Sequence, residues 1–147
     1  VIEAAGVSGI VDSVSLFSTH VRSFDNKLMI VPNNDIWGST ITNATASKTR
    51  RVDMVFGIGY DDDIDKAKEI LEKLVREHEL VLDDPAPVVQ LNELADSSVN
   101  FICRPWTNTG DYWTVYWDIT RSVKAEFDRN GISIPFPHRD VHVFQQN

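Results

Sequence analysis

The spacing of apolar residues changes near Ser47 and divides the chain into two halves. Up to Ser47, short runs rich in β-branched and aromatic residues alternate with turn residues, and no helical period of useful length appears. Strands are predicted within 9–24 and over Lys27–Val31, with a turn at Phe24–Asn26 between them. A further short strand is expected near Ile41. We therefore predict a small all-β domain in residues 1–47.

From Ser47 onward, stretches with a strand pattern alternate with stretches of helical spacing. The predicted elements are, in order, a strand over Val52–Ile58, a helix over Ile64–Glu79, a hairpin of Val88–Leu94 and Val99–Trp106, a helix between Asp111 and Gly131, and a strand over Val141–Phe144. The order β-α-β-β-α-β is that of a ferredoxin-like domain, in which an antiparallel sheet carries two helices on one face. This predicts an α+β fold with a second domain in residues 48–147.

Two prolines shape the segment that precedes the predicted closing strand. Pro135 and Pro137 flank Phe136 in the run GISIPFP. Because proline lacks the backbone N–H that a sheet ladder needs, Ile132–Pro137 cannot be a central strand. We interpret it as a stiff extended connector that leads from the second helix to the closing strand.

Acidic and glycine residues mark the predicted helix ends. The first helix is preceded by a cluster of carboxylates, Asp61, Asp62, Asp63 and Asp65. Carboxylates at a helix N-terminus cap free N–H groups and meet the positive end of the helix dipole. Asp111 is the predicted cap of the second helix, and Gly131 its predicted C-terminal stop. Capping therefore accounts for these acids without a metal ion.

Composition and charge narrow the range of functions. The 147 residues carry a formal net charge of −8, whereas proteins that bind nucleic acid usually present a basic surface. No run approaches the roughly 18 consecutive apolar residues of a membrane span, and no signal peptide is recognisable. The chain lacks an initiator Met and opens inside an apolar run, Val1–Ile2. We therefore expect a fragment of a longer protein that does not bind nucleic acid.

No arrangement of reactive side chains indicates an enzyme, a metal site or a cofactor. Cys103 is the only cysteine and follows apolar residues, which is typical of a buried, reduced thiol. His138 and His142 are four residues apart, but in an extended segment this spacing does not bring two imidazoles to one zinc ion as it would on a helix. We expect no catalytic residue and no cofactor.

Two of the four tryptophans, Trp113 and Trp117, lie four residues apart on the second predicted helix. They are one position round from the face formed by Tyr112 and Tyr116. One interpretation places them in the domain core. The other makes them an interface between subunits or domains, because a helix aromatic on two adjacent faces has more apolar surface than one sheet usually covers. The sequence leaves both open.

Several segments together resemble the cytoplasmic part of the bacterial small-conductance mechanosensitive channel family. They occur in the family's order and cover nearly all of the chain. They are Gly9–Val11, Thr19–Arg22, Ile30–Asn33, Arg51, Gly57–Asp65, Leu91–Leu94, Arg104–Trp106, Gly110–Tyr112, Val115–Asp118 and Phe127–Pro137. Each motif alone is weak evidence for the family, whereas the whole set in this order is specific for it.

The resemblance implies an Sm-like β-domain followed by a ferredoxin-like α/β domain. It also implies a homoheptamer that encloses a hollow vestibule with lateral portals on the cytoplasmic side of the bacterial inner membrane. In the family, membrane tension opens a pore, and ions and small osmolytes leave through vestibule and portals on hypoosmotic shock. The pore-lining membrane segments are absent from this chain, which would act as a scaffold and portal filter.

The resemblance also points to candidate residues at the portals. In the family, portals lie where the two domains meet, and here that joint carries Arg50, Arg51 and Asp53. Asp53 resembles an acidic position that is associated with the portals.

Two other functions stay open: a ferredoxin-like domain that senses a small molecule at a subunit interface, and an Sm-like RNA-binding module, which the acidic charge disfavours.

Overall fold

We describe the protein from a computed structural model, of which residues 1–141 are described here. The chain forms two compact units, one over Val1–Lys48 and a second that begins at Thr49. Both are built from antiparallel sheets, and helices complete a mixed α/β fold. No helix in residues 1–141 combines the length and the apolarity needed to cross a membrane.

The first unit contains a five-stranded antiparallel sheet in the order β4-β3-β2-β1-β5. Its strands are β1 (Ile2–Ala4), β2 (Val7–Val14), β3 (Ser18–Arg22), β4 (Leu28–Pro32) and β5 (Thr42–Asn43). The predicted turn at Phe24–Asn26 joins β3 to β4. A small core of Ala4, Val21, Val31 and Ile36 holds the unit together.

A short helix, α1 (Asn33–Trp37), interrupts the predicted all-β character of the first unit. Five residues are too few to show a helical period, so the sequence pattern did not reveal it. Asn33 connects α1 to the sheet, since its amide donates to the carbonyls of Ser15 and Leu16 and accepts a bond from the Thr19 hydroxyl at 2.8 Å. Ile36 is buried and contributes to the core.

The second unit places a three-stranded antiparallel sheet, in the order β7-β9-β8, together with two helices. The strands are β7 (Met54–Ile58), β8 (Val88–Leu94) and β9 (Val99–Arg104), and the helices are α2 (Ile64–Glu77) and α3 (Tyr112–Asn130). The apolar face of each helix packs with one face of the sheet around the fully buried Phe101 and Phe127. The predicted hairpin and both predicted helices are therefore present.

A two-stranded ribbon in the second unit was not predicted. The predicted strand Val99–Trp106 ends at Arg104, because Pro105 cannot continue the ladder, and a separate strand β10 (Trp106–Asn108) follows. β10 pairs with β6 (Thr49–Arg51), whereas the predicted strand Val52–Ile58 begins only at Met54. The ribbon is anchored where the Val52 N–H donates to the Pro105 carbonyl.

The acidic cluster before α2 divides into two roles. Asp63 is the N-cap, and its side chain accepts a bond from the Lys66 N–H at 3.0 Å. Asp62 instead accepts bonds from the Gly59 N–H and from the N–H and hydroxyl of Ser133. The predicted cap Asp111 makes no capping bond, because its backbone continues a 3₁₀ turn (Thr109–Asp111) into α3.

The chain beyond α3 begins as predicted and then leaves the described part. Gly131 ends α3 in the left-handed conformation, with φ of 71°. Residues 132–141 form neither helix nor strand, in agreement with a proline-stiffened connector, and Ser133 is held by Asp62. Of the predicted closing strand Val141–Phe144, only Val141 is described; the remainder and His142 lie outside the described residues.

Cys103 lies fully buried in β9, and this burial raises the pKa of its thiol to about 12. We expect the native protein to react with a maleimide near pH 8 roughly a thousandfold more slowly than the same protein in urea, because an exposed cysteine has a pKa of about 8.5 and supplies far more thiolate. Mass spectrometry after timed quenching measures both rates. Equal labelling in native buffer and in urea would contradict the buried position.

Candidate functional site

The predicted portal residues lie around the start of the second unit, where β6 leads into β7. Pairing with β10 sets Arg51 opposite Trp106 and Arg50 opposite the buried Thr107. Because side chains alternate along a strand, Arg50 and Arg51 point to opposite faces of the ribbon. The side chains of these two consecutive residues therefore lie in different environments, one on each face of the ribbon.

Arg51 and Asp53 form a two-point ion pair. The Arg51 Nε donates to Asp53 Oδ1 at 2.7 Å, and its Nη2 reaches Oδ2 at 3.3 Å. Such fork-to-carboxylate geometry is the strongest form of a side-chain ion pair. Both side chains remain about half exposed, so water weakens the attraction without removing the geometry.

Arg104 joins this pair from the end of β9. Its Nε lies 3.3 Å from Asp53 Oδ1, the same oxygen that accepts from Arg51. Arg104 belongs to the sequence motif Arg104–Trp106, but nothing in that motif indicates a site role for it. No spacing signal connects it to Asp53, because the two residues are far apart along the chain and meet only through the β7–β9 pairing.

Arg50 takes a different partner. Its guanidinium carbon lies 4.1 Å from the centre of the Tyr112 ring at the start of α3. An arginine over an aromatic face is attracted by the ring quadrupole. The structure therefore brings Arg51 and Asp53 together with Arg104, and separates Arg50 from them by directing it toward α3.

Trp113 and Trp117 lie on an exposed face of α3. They are 56% and 62% exposed, and their rings stack with centres 5.7 Å apart. Tyr112 and Tyr116 are only partly buried against the core and meet Trp113 edge-on. This arrangement removes the interpretation of the two tryptophans as residues of their own domain's core, which instead contains Val115 and Ile119.

The described residues contain no group of three or more His, Cys, Asp or Glu side chains that could hold a metal ion. The cluster built around Asp53 consists of one carboxylate and two guanidinium groups. Guanidinium groups carry only N–H donors and do not act as metal ligands. The chemistry of this site is therefore electrostatic: it holds charge at fixed positions.

Two protein-family models match the chain in succession. Residues 1–46 match the mechanosensitive ion channel β-domain, and residues 52–134 match the C-terminal part of the mechanosensitive ion channel MscS. Together they account for most of both units. Both descriptions are those of ion channels, a class without enzymatic activity, in agreement with the expectation that the chain is not an enzyme.

Individual relatives agree with the family models. An uncharacterized MscS family protein of Synechocystis is 42% identical over 98% of this chain and 49% of its own length. A small-conductance mechanosensitive channel of Edwardsiella ictaluri is 41% identical over 99% of this chain and 51% of its own. The chain thus spans about half the length of the curated relatives it matches.

A solved structure extends the similarity to three dimensions. The crystal structure of Helicobacter pylori MscS in its closed state matches 99% of this chain and 58% of its own, with a TM-score of 0.91 at 28% identity. The resemblance carried by the short motifs is therefore confirmed by family models, by sequence relatives and by fold. The chain belongs to the MscS family of mechanosensitive ion channels.

Proposed function

We propose that this chain forms the cytoplasmic vestibule of a mechanosensitive channel in the bacterial inner membrane, through which ions and small osmolytes leave on hypoosmotic shock. The observation that carries the proposal is the succession of the two family matches, with the β-domain first and the C-terminal part second. A chain that contains the β-domain followed by the C-terminal part would act as the scaffold and portal filter of the channel. The pore itself would be formed by membrane segments outside this chain.

The proposed domains are an Sm-like β-domain in residues 1–47 and a ferredoxin-like domain in residues 48–147. The five-stranded antiparallel sheet of the first unit supports the former. For the latter, β7, β9 and β8 have the neighbour order of the first, third and second strands of a β-α-β-β-α-β domain. A fourth strand would be added beside β7, whose only sheet partner within residues 1–141 is β9.

The proposed portal-lining residues are Arg50, Arg51 and Asp53. Arg51 and Asp53 are exposed, and Arg50 is half-buried, so charged groups face water at this position. In a ring of identical chains each charge would be repeated around the vestibule, and such rings of charge set the local potential that a permeating ion meets. Asp53 is paired within its own chain, and we therefore expect it to act together with its arginines rather than as a free negative charge.

The proposed assembly is a homo-oligomer, with seven chains as in the resemblance described above. Both units expose large apolar side chains that a monomer in water would not favour, including Phe17, Trp37, Trp113 and Trp117. Aromatic anchors of this kind are enriched at protein interfaces. Interfaces on both units would explain why so much apolar surface lies uncovered in one chain.

The test of the channel function uses the longer protein that contains this chain. Produced in bacteria that lack their own mechanosensitive channels, it is expected to restore survival after a sudden drop in external osmolarity, because an open pore relieves the pressure. Survival is counted as colonies after the shock, and membrane insertion is checked by fractionation. An inserted protein that neither restores survival nor conducts in stretched membrane patches would overturn the proposal.

The alternative function, sensing of a small molecule, has one feature in its favour. A groove of about 370 Å³ lies in the second unit and is lined by Val75, Val81, Ala86, Pro87 and Val89, with Glu72, Arg76 and Asp83 among the polar residues. A ligand that raises the thermal midpoint in a dose-dependent way would favour sensing. We favour the channel function over small-molecule sensing, because the chain belongs to the MscS family.

A further inference from the structure

The cluster at Asp53 has an excess of positive charge in an otherwise acidic protein. Arg51 and Arg104 share the single carboxylate of Asp53, so one positive charge stays uncompensated within the cluster. Arg50 adds a second positive charge on the other face of the ribbon, against the Tyr112 ring. The whole chain, in contrast, has a formal net charge of −8. The neighbourhood of β6 is therefore locally opposite in sign to the protein.

Asp53 uses only part of the hydrogen-bonding capacity of the two arginines. It engages the Nε and Nη2 of Arg51, and a guanidinium has five N–H donors arranged in a rigid fork. Within residues 1–141, no hydrogen bond engages the end of the Arg51 fork, which is formed by Nη1 and the second hydrogen of Nη2. The contact of Arg104 with Asp53 is through Nε, at 3.3 Å, and within residues 1–141 no hydrogen bond from either of its terminal nitrogens is found. Within residues 1–141 no other carboxylate pairs with either guanidinium.

The two guanidinium groups converge, through their Nε atoms, on one carboxylate oxygen. Both Nε atoms lie within 3.3 Å of the same oxygen, Asp53 Oδ1. Arg51 is fixed by its strand position opposite Trp106, and Arg104 by its position opposite Val88 in β8. Sheet pairing fixes where both side chains begin, and the shared carboxylate restricts them further, which reduces the ordering that ligand binding would require.

We infer that Arg51 and Arg104, positioned by Asp53, form a binding site for oxyanions of the carboxylate and phosphate class. Each guanidinium fork can give two parallel N–H···O bonds, which match two oxygens of a planar carboxylate or of a tetrahedral phosphate. Chloride presents a single spherical acceptor, so it cannot receive the two parallel N–H bonds of a fork on separate oxygens and is expected to bind more weakly. The site is a property of one chain, so it stands or falls independently of the proposed channel assembly.

Binding can be measured on the intact 147-residue chain by NMR of its arginine Nε–Hε signals. Sodium phosphate is titrated in one series, sodium acetate in a second and sodium chloride in a third, at matched ionic strength because screening changes with salt. We expect saturable shifts of the Arg51 and Arg104 signals with phosphate, with a Kd on the order of 1–10 mM, weaker saturation with acetate, and no saturation with chloride. Preference between phosphate and acetate identifies which oxyanion the site favours.

The substitution Arg104→Lys separates fork geometry from charge. Lysine keeps the positive charge but loses the planar fork, so phosphate affinity is expected to fall by about fivefold or more. Arg129→Lys is the matched control, because Arg129 is an exposed arginine at the end of α3 that pairs with Glu126, and it should leave the affinity unchanged. Circular dichroism confirms that both variants are folded.

Two results would overturn the inference. One is a phosphate response that does not saturate or that chloride reproduces at equal ionic strength, which would indicate general screening. The other is unchanged phosphate affinity in folded Arg104→Lys and in folded Arg51→Lys, which would mean that neither fork contacts the anion.

Discussion

Replacing Trp113 and Trp117 together by alanine is expected to dissociate the proposed oligomer while the chain stays folded. Both side chains are more than half exposed and stack on each other on the outer face of α3. Their removal therefore creates no cavity in the core, which is formed from the opposite face of the helix by Val115, Ile119, Val123 and Phe127. Alanine also has the higher helix propensity.

The size of the effect follows from the behaviour of aromatic anchors at interfaces. Truncation of a tryptophan at the centre of an interface typically costs about 2 kcal/mol or more of binding free energy. A loss of about 1.4 kcal/mol corresponds to a tenfold change in affinity. A single substitution should thus raise the concentration at which the oligomer half-dissociates by about 30-fold. The two effects need not add, because the rings contact each other.

The measurement is the native mass as a function of protein concentration, by light scattering after gel filtration. Thr114→Ala is the matched control, since Thr114 is exposed on the same helix between the two tryptophans, and it should assemble like the original chain. A mass–concentration curve of the double variant that overlays that of Thr114→Ala would exclude this face as an interface. Loss of the cooperative unfolding transition would instead assign the tryptophans to folding.

Replacing Gly9 by alanine is expected to destabilise the first unit by about 3 kcal/mol. A Cβ at this position would lie 2.3 Å from the Arg22 carbonyl oxygen and 2.9 Å from Val21 Cγ1. The obstacle is the backbone of β3, which cannot move aside without breaking its pairing with β2 and β4. Forcing extra volume into a packed site typically costs about 1–3 kcal/mol, and a backbone obstacle places this case at the upper end.

Hydrogen exchange followed by NMR reports the effect at single amides. The amides of β3, which include that of the fully buried Val21, should exchange about 100-fold faster in Gly9→Ala, since each tenfold corresponds to about 1.4 kcal/mol. Gly110→Ala is the matched control, because a Cβ built there meets, within residues 1–141, no atom within 4 Å beyond its own local backbone and chain neighbours. Equal protection of β3 in both variants would show that the strands tolerate the methyl group.

Local signals in the sequence were enough to predict most elements of the second unit. The apolar spacing from Ile64 onward predicted α2, whose observed end at Glu77 is two residues before the predicted Glu79. Asp63 and Gly131 act at helix ends as their residue types indicate. These predictions succeeded because capping and helical periodicity depend on residues within a few positions of one another, which a sequence displays directly.

The sequence by itself also determined the family, because ordered short motifs retain their identity without any knowledge of contacts. Only the tertiary structure decided which charges meet: Asp53 pairs with its neighbour Arg51 but also with Arg104, and the second partner arrives through sheet pairing. The tertiary structure likewise shows that Gly9 faces the β3 backbone and that Trp113 and Trp117 face outward. Such features depend on strand register and on the packing of distant segments, and local residue spacing encodes neither of them.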